Sequence, residues 1–582
     1  MLILKQLDTP PRQDIKTSAT PGGSLAAASP NTCRGQQLLP LFHLEFLTRL
    51  ASISGRGSGR VQWLDVLPLS LPLPSRGERF GFPFLAESPG SLIGPPFRQP
   101  PRLRLLAFAI PLLLTILGAR VGLCSNPDRP PNFIVIFTDD QGYGELGCFG
   151  GSHVQTPRID RMATEGIRLR SFYAAAPYCT ASRAALMTGC YPRRVGLEVG
   201  STFPVLLAAD AHGLNPDEIT LAEVLKKQGY ATGCFGKWHL GDQPQFLPTR
   251  QGFDVFYGIP YSHDIHPHHP AQGKRFHFPP LPLLESERVI ELDPDADNFT
   301  KNITERAVQF VTENKDRPFF VYLPHPIPHL PYHVSDDFKE GLTSEQLATL
   351  RDAPLSDYQS RLFLRPHCIR EIDWSVGRLL DTLQELHLAD NTIVFFTTDN
   401  GGATNAGGNN GPLRAGKGSC YEGGMRVPAV AWAPGRIKPG TTSDELVTAM
   451  DLLPTVAKLA GGSPPADRTI DGRDVWPILS GAANAKSPHE AFVYYDASRR
   501  IKAIRSGPWK LVFGNPRELY HLDRDLGEKQ NVAADHPEVV TRLAKLAQRS
   551  REELGEGSRL GPGCRPIGKA ENPRPLSMSS AR

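Results

Sequence analysis

The sequence has no CxxC pair and no Cys or His spacing suited to zinc, and its nine cysteines (33, 124, 148, 179, 190, 234, 368, 420 and 564) make no regular framework. A disulfide scaffold is therefore excluded as the organising principle. One or two bridges stay compatible with an oxidising compartment, and the odd count gives at least one cysteine another fate. Net charge is also scarce: 64 Lys and Arg against 60 Asp and Glu leave +4 over 582 residues, too little and too dispersed for a nucleic-acid partner. If the substrate is an anion, local geometry has to attract it. No apolar run reaches the roughly 20 residues of a membrane-spanning helix. The nearest, residues 105–117, is broken only by Pro111 and Thr115, follows Arg102 and Arg104, and leads to Gly118, Ala119 and Gly122. It reads as the signal peptide of an exported protein, spanning 102–124. Lipidation at Cys124 is the weaker reading, because bulky Leu123 precedes it. Residues 1–101, rich in Pro, Gly, Ser and Arg, are expected to be a poorly structured extension or the product of a start assigned too far upstream.

From residue 131 the pattern alternates between strand and helix. An unbroken apolar run at 133–137 predicts a strand covered on both faces, and Asp139 and Asp140 follow it. Thr220 with Glu223 makes a capping box for a helix that Gly229 closes, and a strand at 230–235 then delivers Lys237, Trp238 and His239. Another strand, 318–323, leads to His325 and His329. Ile372, Val376, Leu379, Leu380, Leu383 and Leu386 form a helical stripe before a strand at 393–396 that ends in Asp399 and Asn400. The fold class is α/β, a mostly parallel sheet sandwiched by helices. Ligands of such sheets bind beyond the carboxyl ends of the strands, where each of these polar clusters falls. Residues 131–450 are expected to be the catalytic domain. Short strands at 501–506, 509–513 and 518–522 and a helix near 537–548 make 451–556 a smaller C-terminal antiparallel sheet plus helix, with 557–582 a flexible tail.

Cys179 opens a run of good helix formers that ends at Gly189, so it should lie at a helix N-terminus, a setting that suits an anion. Arg183, one turn on, is expected to reach back to that anion. Such a cysteine would be reactive even unmodified, against the alternative of a buried structural cysteine. A single Asp-Asp pair fits a turn or a cap as well as a metal. Two acid or amide pairs after two strands (Asp139 and Asp140, Asp399 and Asn400) favour a cation that prefers hard oxygen, calcium over magnesium. His263, His266, His268 and His269 crowd one loop; a solvated, substrate-facing loop is preferred to a metal-binding tract. Asn298-Phe-Thr300 and Asn302-Ile-Thr304 are formal glycosylation sequons.

Cys179, Ala181 and Arg183, continued by Leu186, Thr188 and Gly189, match the pattern Cys or Ser, any residue, Pro or Ala, any residue, Arg, and here the chain resembles the sulfatase family. Supporting matches are Gly236-Lys-Trp-His-Leu-Gly241, Gly411-Pro-Leu-Arg-Ala-Gly-Lys-Gly418 with Tyr421-Glu-Gly-Gly424, and Gly507-Pro-Trp-Lys-Leu511 with Glu518-Leu-Tyr-His-Leu522. Gly258-Ile-Pro-Tyr-Ser-His-Asp264 is most similar to the arylsulfatase A and N-acetylgalactosamine-6-sulfatase branch. The resemblance implies an alkaline-phosphatase-like fold, calcium as cofactor, and oxidation of Cys179 to formylglycine by a maturation enzyme. One hydroxyl of the hydrated aldehyde would attack sulfur, and the other would let the intermediate collapse to aldehyde and sulfate. It further implies Asp139, Asp140, Asp399, Asn400 and modified Cys179 as metal ligands, and Lys237, Lys417 and Ser262 as sulfate contacts. His239 would hold and deprotonate the diol, and His329 would protonate the leaving oxygen; a role for His325 is left open against that of an ordinary loop histidine. The implied substrate is a sulfated carbohydrate or small molecule. A phosphomonoester or phosphonate hydrolase of the same superfold, and a noncatalytic glycan-binding protein, are the rival readings.

Overall fold

The computed structural model describes residues 129–578, so the expected signal segment and the extension before it lie outside the described residues. The apolar run becomes strand β1 (Asn132–Thr138), buried throughout. Successive side chains of a strand point to opposite faces. Phe133, Val135 and Phe137 enter one core, and Ile134 and Ile136 enter another on the other side. With both faces covered, the sequence shows no polar alternation. Four strands continue the parallel sheet: β2 (Ala231–Lys237), β3 (Val255–Ile259), β4 (Phe319–Pro324) and β5 (Thr392–Thr398), in the spatial order β5-β1-β4-β2-β3. Shorter strands widen it to ten, with Ile167–Leu169, Val430–Trp432 and Thr441–Ser443 beyond β5 and Pro282–Glu285 and Arg288–Leu292 beyond β3. All but one of these edge pairings are antiparallel, so the sheet is parallel at its centre and mixed at its margins.

Helices α1 (Cys179–Thr188) and α2 (Leu221–Lys227) cover the Phe133 face, and α3 (Phe299–Glu313) and α4 (Arg365–Glu385) cover the Ile134 face. The expected capping box starts α2: the Thr220 hydroxyl accepts from the Glu223 amide at 3.1 Å, and the Glu223 carboxylate accepts from the Thr220 amide at 2.7 Å. The stripe from Ile372 to Leu383 is the buried face of α4. The two sequons fall at the start of α3, a helix the sequence reading did not anticipate.

Toward the C-terminus, β6 (Phe492–Tyr495), β7 (Ile501–Ser506), β8 (Trp509–Val512) and β9 (Glu518–His521) form an antiparallel meander. Leu543, Leu546 and Ala547 of α5 (Pro537–Leu554) pack on its Val493, Ile504 and Leu511. Leu452, Val456, Ile478 and Leu479, expected with this subdomain, instead help fill the core of the large body. The segment expected as a flexible tail is tied down as far as it is described. Gly568–Lys569 pairs with His212–Gly213, Arg565 meets Glu218 at 2.7 Å, and Leu576 is buried. Its turn-rich composition carries no trace of these long-range bonds.

Candidate active site

The carboxyl ends of the parallel strands converge. β1 delivers Asp139 and Asp140, β5 delivers Asp399 and Asn400, β2 ends in Lys237 with His239 two residues on, and Ser262 follows β3; all are buried. Cys179, also buried, is the first residue of α1. Asp140 takes a left-handed conformation, φ 60°, uncommon for a residue with a Cβ and a frequent mark of functional sites. Its amide donates to Asp399 Oδ1 at 3.1 Å and its Oδ1 accepts from Asn400 Nδ2 at 2.7 Å, which ties β1 to β5. Gly236, at φ 132°, brings Lys237 into place where a Cβ would lie 2.1 Å from the Pro324 carbonyl oxygen.

Charge is dense here. Asp139 Oδ2 accepts from Lys237 Nζ and, at 3.0 Å, from Arg183 Nη2, which also reaches Asp399 Oδ2 at 3.2 Å. Burial alone would raise the Asp139 pKa, but Lys237, then His329, Arg183 and Lys417, hold it well below the usual carboxylate range. Asp399 moves the other way, pushed up to about 7 by burial and by the Asp139 charge. Lys237 Nζ donates to Ser262 Oγ at 3.0 Å, and Lys417 Nζ to Asp140 Oδ2 at 2.9 Å.

Arg183 braces Asp139 and Asp399 and donates to the Lys237 carbonyl at 2.9 Å. Of the two readings of unmodified Cys179, a reactive thiol or a buried structural one, the second agrees with its setting: burial pushes the thiol up to about 12, only partly offset by Lys237 and Lys417.

The donor set fits a hard divalent cation. Oxygens of Asp139 and Asp399 and the Cys179 sulfur lie within 4.8 Å of one another, as do ligand atoms of Asp139, Asp140 and His329. Asp139 Oδ1 and Asn400 Oδ1 are buried acceptors without a donor, an arrangement that is costly without a cation to face. Among the described residues, neither cluster includes the crowded loop histidines. His263 packs on His329 with ring centres 5.7 Å apart, His266 bonds the Tyr358 hydroxyl at 3.1 Å, and His269 packs against Phe276 and Phe278.

Carbonyl oxygens only accept, so each neighbouring histidine nitrogen must carry its proton. His239 Nε2 lies 2.9 Å from the Leu206 oxygen and therefore donates; Nδ1 is left as an unpartnered base, kept neutral by burial and by Lys237. His329 Nδ1 lies 2.6 Å from the Leu330 oxygen, which leaves Nε2 free to face the crevice, 3.7 Å from Asp140 Oδ2. His325 turns away: its Nε2 meets Ser375 Oγ on α4 at 3.1 Å, and burial lowers its pKa to about 3. The sequence reading missed Arg365, which donates to Glu145 at 2.6 Å, to the Asp140 carbonyl at 2.8 Å and to the Pro328 carbonyl at 2.9 Å. It locks the Asp140 turn to the His329 loop, and no motif spans the 220 residues between Arg365 and Glu145.

A central parallel sheet sandwiched by helices, with a small antiparallel sheet behind it and polar groups gathered at the strand ends, is the alkaline-phosphatase-like α/β class of hydrolases. The chain belongs to the sulfatase family, whose model, Sulfatase, matches residues 131–463; a second model, N-sulphoglucosamine sulphohydrolase, C-terminal, matches 416–553. Arylsulfatase A of Homo sapiens is 36% identical over 76% of this chain and 92% of that protein. N-acetylgalactosamine-6-sulfatase of Canis lupus familiaris is 33% identical over 79% and 96%. The crystal structure of Ps i-CgsB with k-i-k-neocarrahexaose is similar with a TM-score of 0.61, at 30% identity over 72% of this chain and 93% of that one. The protein is an enzyme of the sulfuric ester hydrolase class. Among the described residues no helix is long and apolar enough to cross a membrane.

Proposed function

We propose that the protein is an exported, calcium-dependent sulfatase whose attacking group is formylglycine made from Cys179, acting on sulfated carbohydrates. The observation that carries this reading is the pair of orphaned buried acceptors, Asp139 Oδ1 and Asn400 Oδ1, at the strand ends where Cys179 also lies. Asp139, Asp140, Asp399 and Asn400 would hold calcium, with position 179 as a further ligand, and the ion would supply positive charge for a sulfate oxygen. The Cys179 sulfur stands in for the oxygen of the converted residue, whose hydrate supplies both an attacking hydroxyl and a second one to release sulfate.

The chain's own groups do the rest. Arg183 bridges Asp139 and Asp399 and orients both carboxylates. Lys237, Ser262 and Lys417 bind the ester's sulfate and balance the charge that grows on its oxygens. His239 Nδ1 accepts a proton from position 179, and His329 Nε2 gives one to the departing oxygen. A relative named for N-acetylgalactosamine 6-sulfate and a structural relative bound to neocarrahexaose support a carbohydrate substrate. Export through the 102–124 segment and conversion by a formylglycine-generating enzyme complete the proposal.

Parallel kinetics on matched sulfate and phosphate monoesters test it. Faster sulfate turnover, lost on chelation and restored by calcium, is the expected result. Faster phosphate turnover would move the protein to the phosphomonoester and phosphonate hydrolases, and no turnover of either would favour a glycan-binding role.

A further inference from the structure

Arg361 lies in the 3-10 turn Gln359–Leu364 just before α4, 4% exposed, on the wall of a cavity of about 650 Å³. A buried guanidinium needs a counter-charge, and among the described residues no carboxylate pairs with this one. Its one hydrogen bond is long, from Nη2 to the Leu350 carbonyl at 3.5 Å, and Nε is buried without an acceptor. Arg365, one turn on and equally buried, meets Glu145 at 2.6 Å. Of these two neighbouring arginines, one carries its counter-ion within the chain and the other faces a cavity without one.

The cavity's acids have partners of their own. Asp297 accepts from His333 and Lys339 and Asp336 from Lys339, which line the cavity with them, while Asp293 and Asp295 accept from the neutral Leu281 backbone amide and Asn298 side-chain amide. The cavity adjoins the catalytic crevice through His263, which lines it and packs on His329, the group assigned to the leaving oxygen. Beside Arg361 the cavity is also lined by Leu347 and Leu350 of the helix Ser344–Asp352, which buries none of its residues. An apolar wall beside a few directed polar groups suits the ring of a sugar.

We propose that Arg361 binds a second anionic group, a carboxylate or a sulfate, on the part of the substrate beyond the scissile ester, so that the preferred substrate is a sulfated carbohydrate with at least two anionic groups. The inference rests on the sulfatase reading of the crevice and specifies its substrate. A planar guanidinium offers parallel donors matched to carboxylate or sulfate oxygens, and the burial of Arg361 itself limits the competition from water.

The test compares the calcium-loaded wild type, Arg361→Gln and Arg361→Lys on four esters: 4-nitrophenyl sulfate, a singly sulfated hexosamine, that hexosamine with a second sulfate, and that hexosamine linked to a hexuronate. The readout is the ratio of kcat/KM on a doubly anionic sugar to that on the singly anionic one. In the wild type this ratio should be about 10 to 100 for either the disulfate or the hexuronate, which identifies the second anion. Arg361→Gln should bring it down to about one, mainly through KM, and Arg361→Lys should restore part of it. A ratio unchanged by Arg361→Gln overturns the inference. So does a wild type that turns over 4-nitrophenyl sulfate but shows no preference for either dianion, a result independent of whether the variants fold. A wild type inactive on every sulfate ester overturns the sulfatase reading as well.

Discussion

The Glu422 carboxylate, buried between the large body and the small sheet, receives Lys510 at 2.9 Å and Tyr494 at 3.0 Å on one oxygen, and Tyr173 and Arg426 on the other. The polar groups at the strand ends are buried as deeply, yet Asp139 Oδ1 and Asn400 Oδ1 have no donor and His239 Nδ1 has no partner. Both clusters place charge in a poor solvent for charge. One closes on itself and joins two parts of the fold; the other stays open and waits for ligands. Open valences, rather than charge or burial, separate a site from a strut.

The largest effect should come from the open cluster. Cys179→Ala should abolish turnover while thermal melting changes little, because a small side chain at a helix start fills little core volume. Next, Asp399→Ala should lower kcat/KM by roughly 100-fold or more and blunt the response to added calcium, whereas His266→Ala, outside the proposed calcium ligands, should have far less effect. Equal losses at the two positions would erase the distinction between cation ligands and loop histidines. Glu422→Ala should show the opposite profile. Lys510 would keep Glu528 at 2.8 Å but Arg426 would lose its carboxylate, so the change should cost roughly 3 kcal/mol in denaturant unfolding, with turnover per folded molecule largely kept. The smallest expected signal is chemical. In protein made without conversion of Cys179, iodoacetamide at pH 8 should leave this thiol unlabelled, since alkylation needs the thiolate and burial holds the thiol near 12. Labelling should rise only as pH climbs toward that value.

The open cluster was the legible one. Its residues follow strands whose apolar runs are visible in the sequence, and a parallel sheet brings strand ends together whatever the intervening lengths. Asp139, Asp399 and Lys237 can thus be assigned to one crevice from their strands, whereas Cys179, which opens a helix, is brought there by what the resemblance of its motif implies. The place of Arg183 one turn into its helix is legible, but its bonds to Asp139 and Asp399 are not, because helix spacing fixes position and not long-range partners. The closed cluster was not legible. Glu422 and Lys510 are 88 residues apart, and nothing in either segment names the other. Arg361 was equally silent: a lone arginine before a helix is ordinary on the surface, and only its burial without an acid makes it informative. The edge strands and the pinned tail share that cause, since short segments held by distant backbone bonds leave little periodicity behind.

The central claim is that position 179 carries a carbonyl in the active enzyme. Mass spectrometry of the peptide containing residue 179, from protein with measured sulfatase turnover, tests it directly. The account predicts a species lighter than the thiol form that reacts with hydrazide reagents, in a fraction that tracks specific activity among preparations from cells with and without the maturation enzyme. Full sulfatase activity from protein in which Cys179 is wholly a thiol would contradict it.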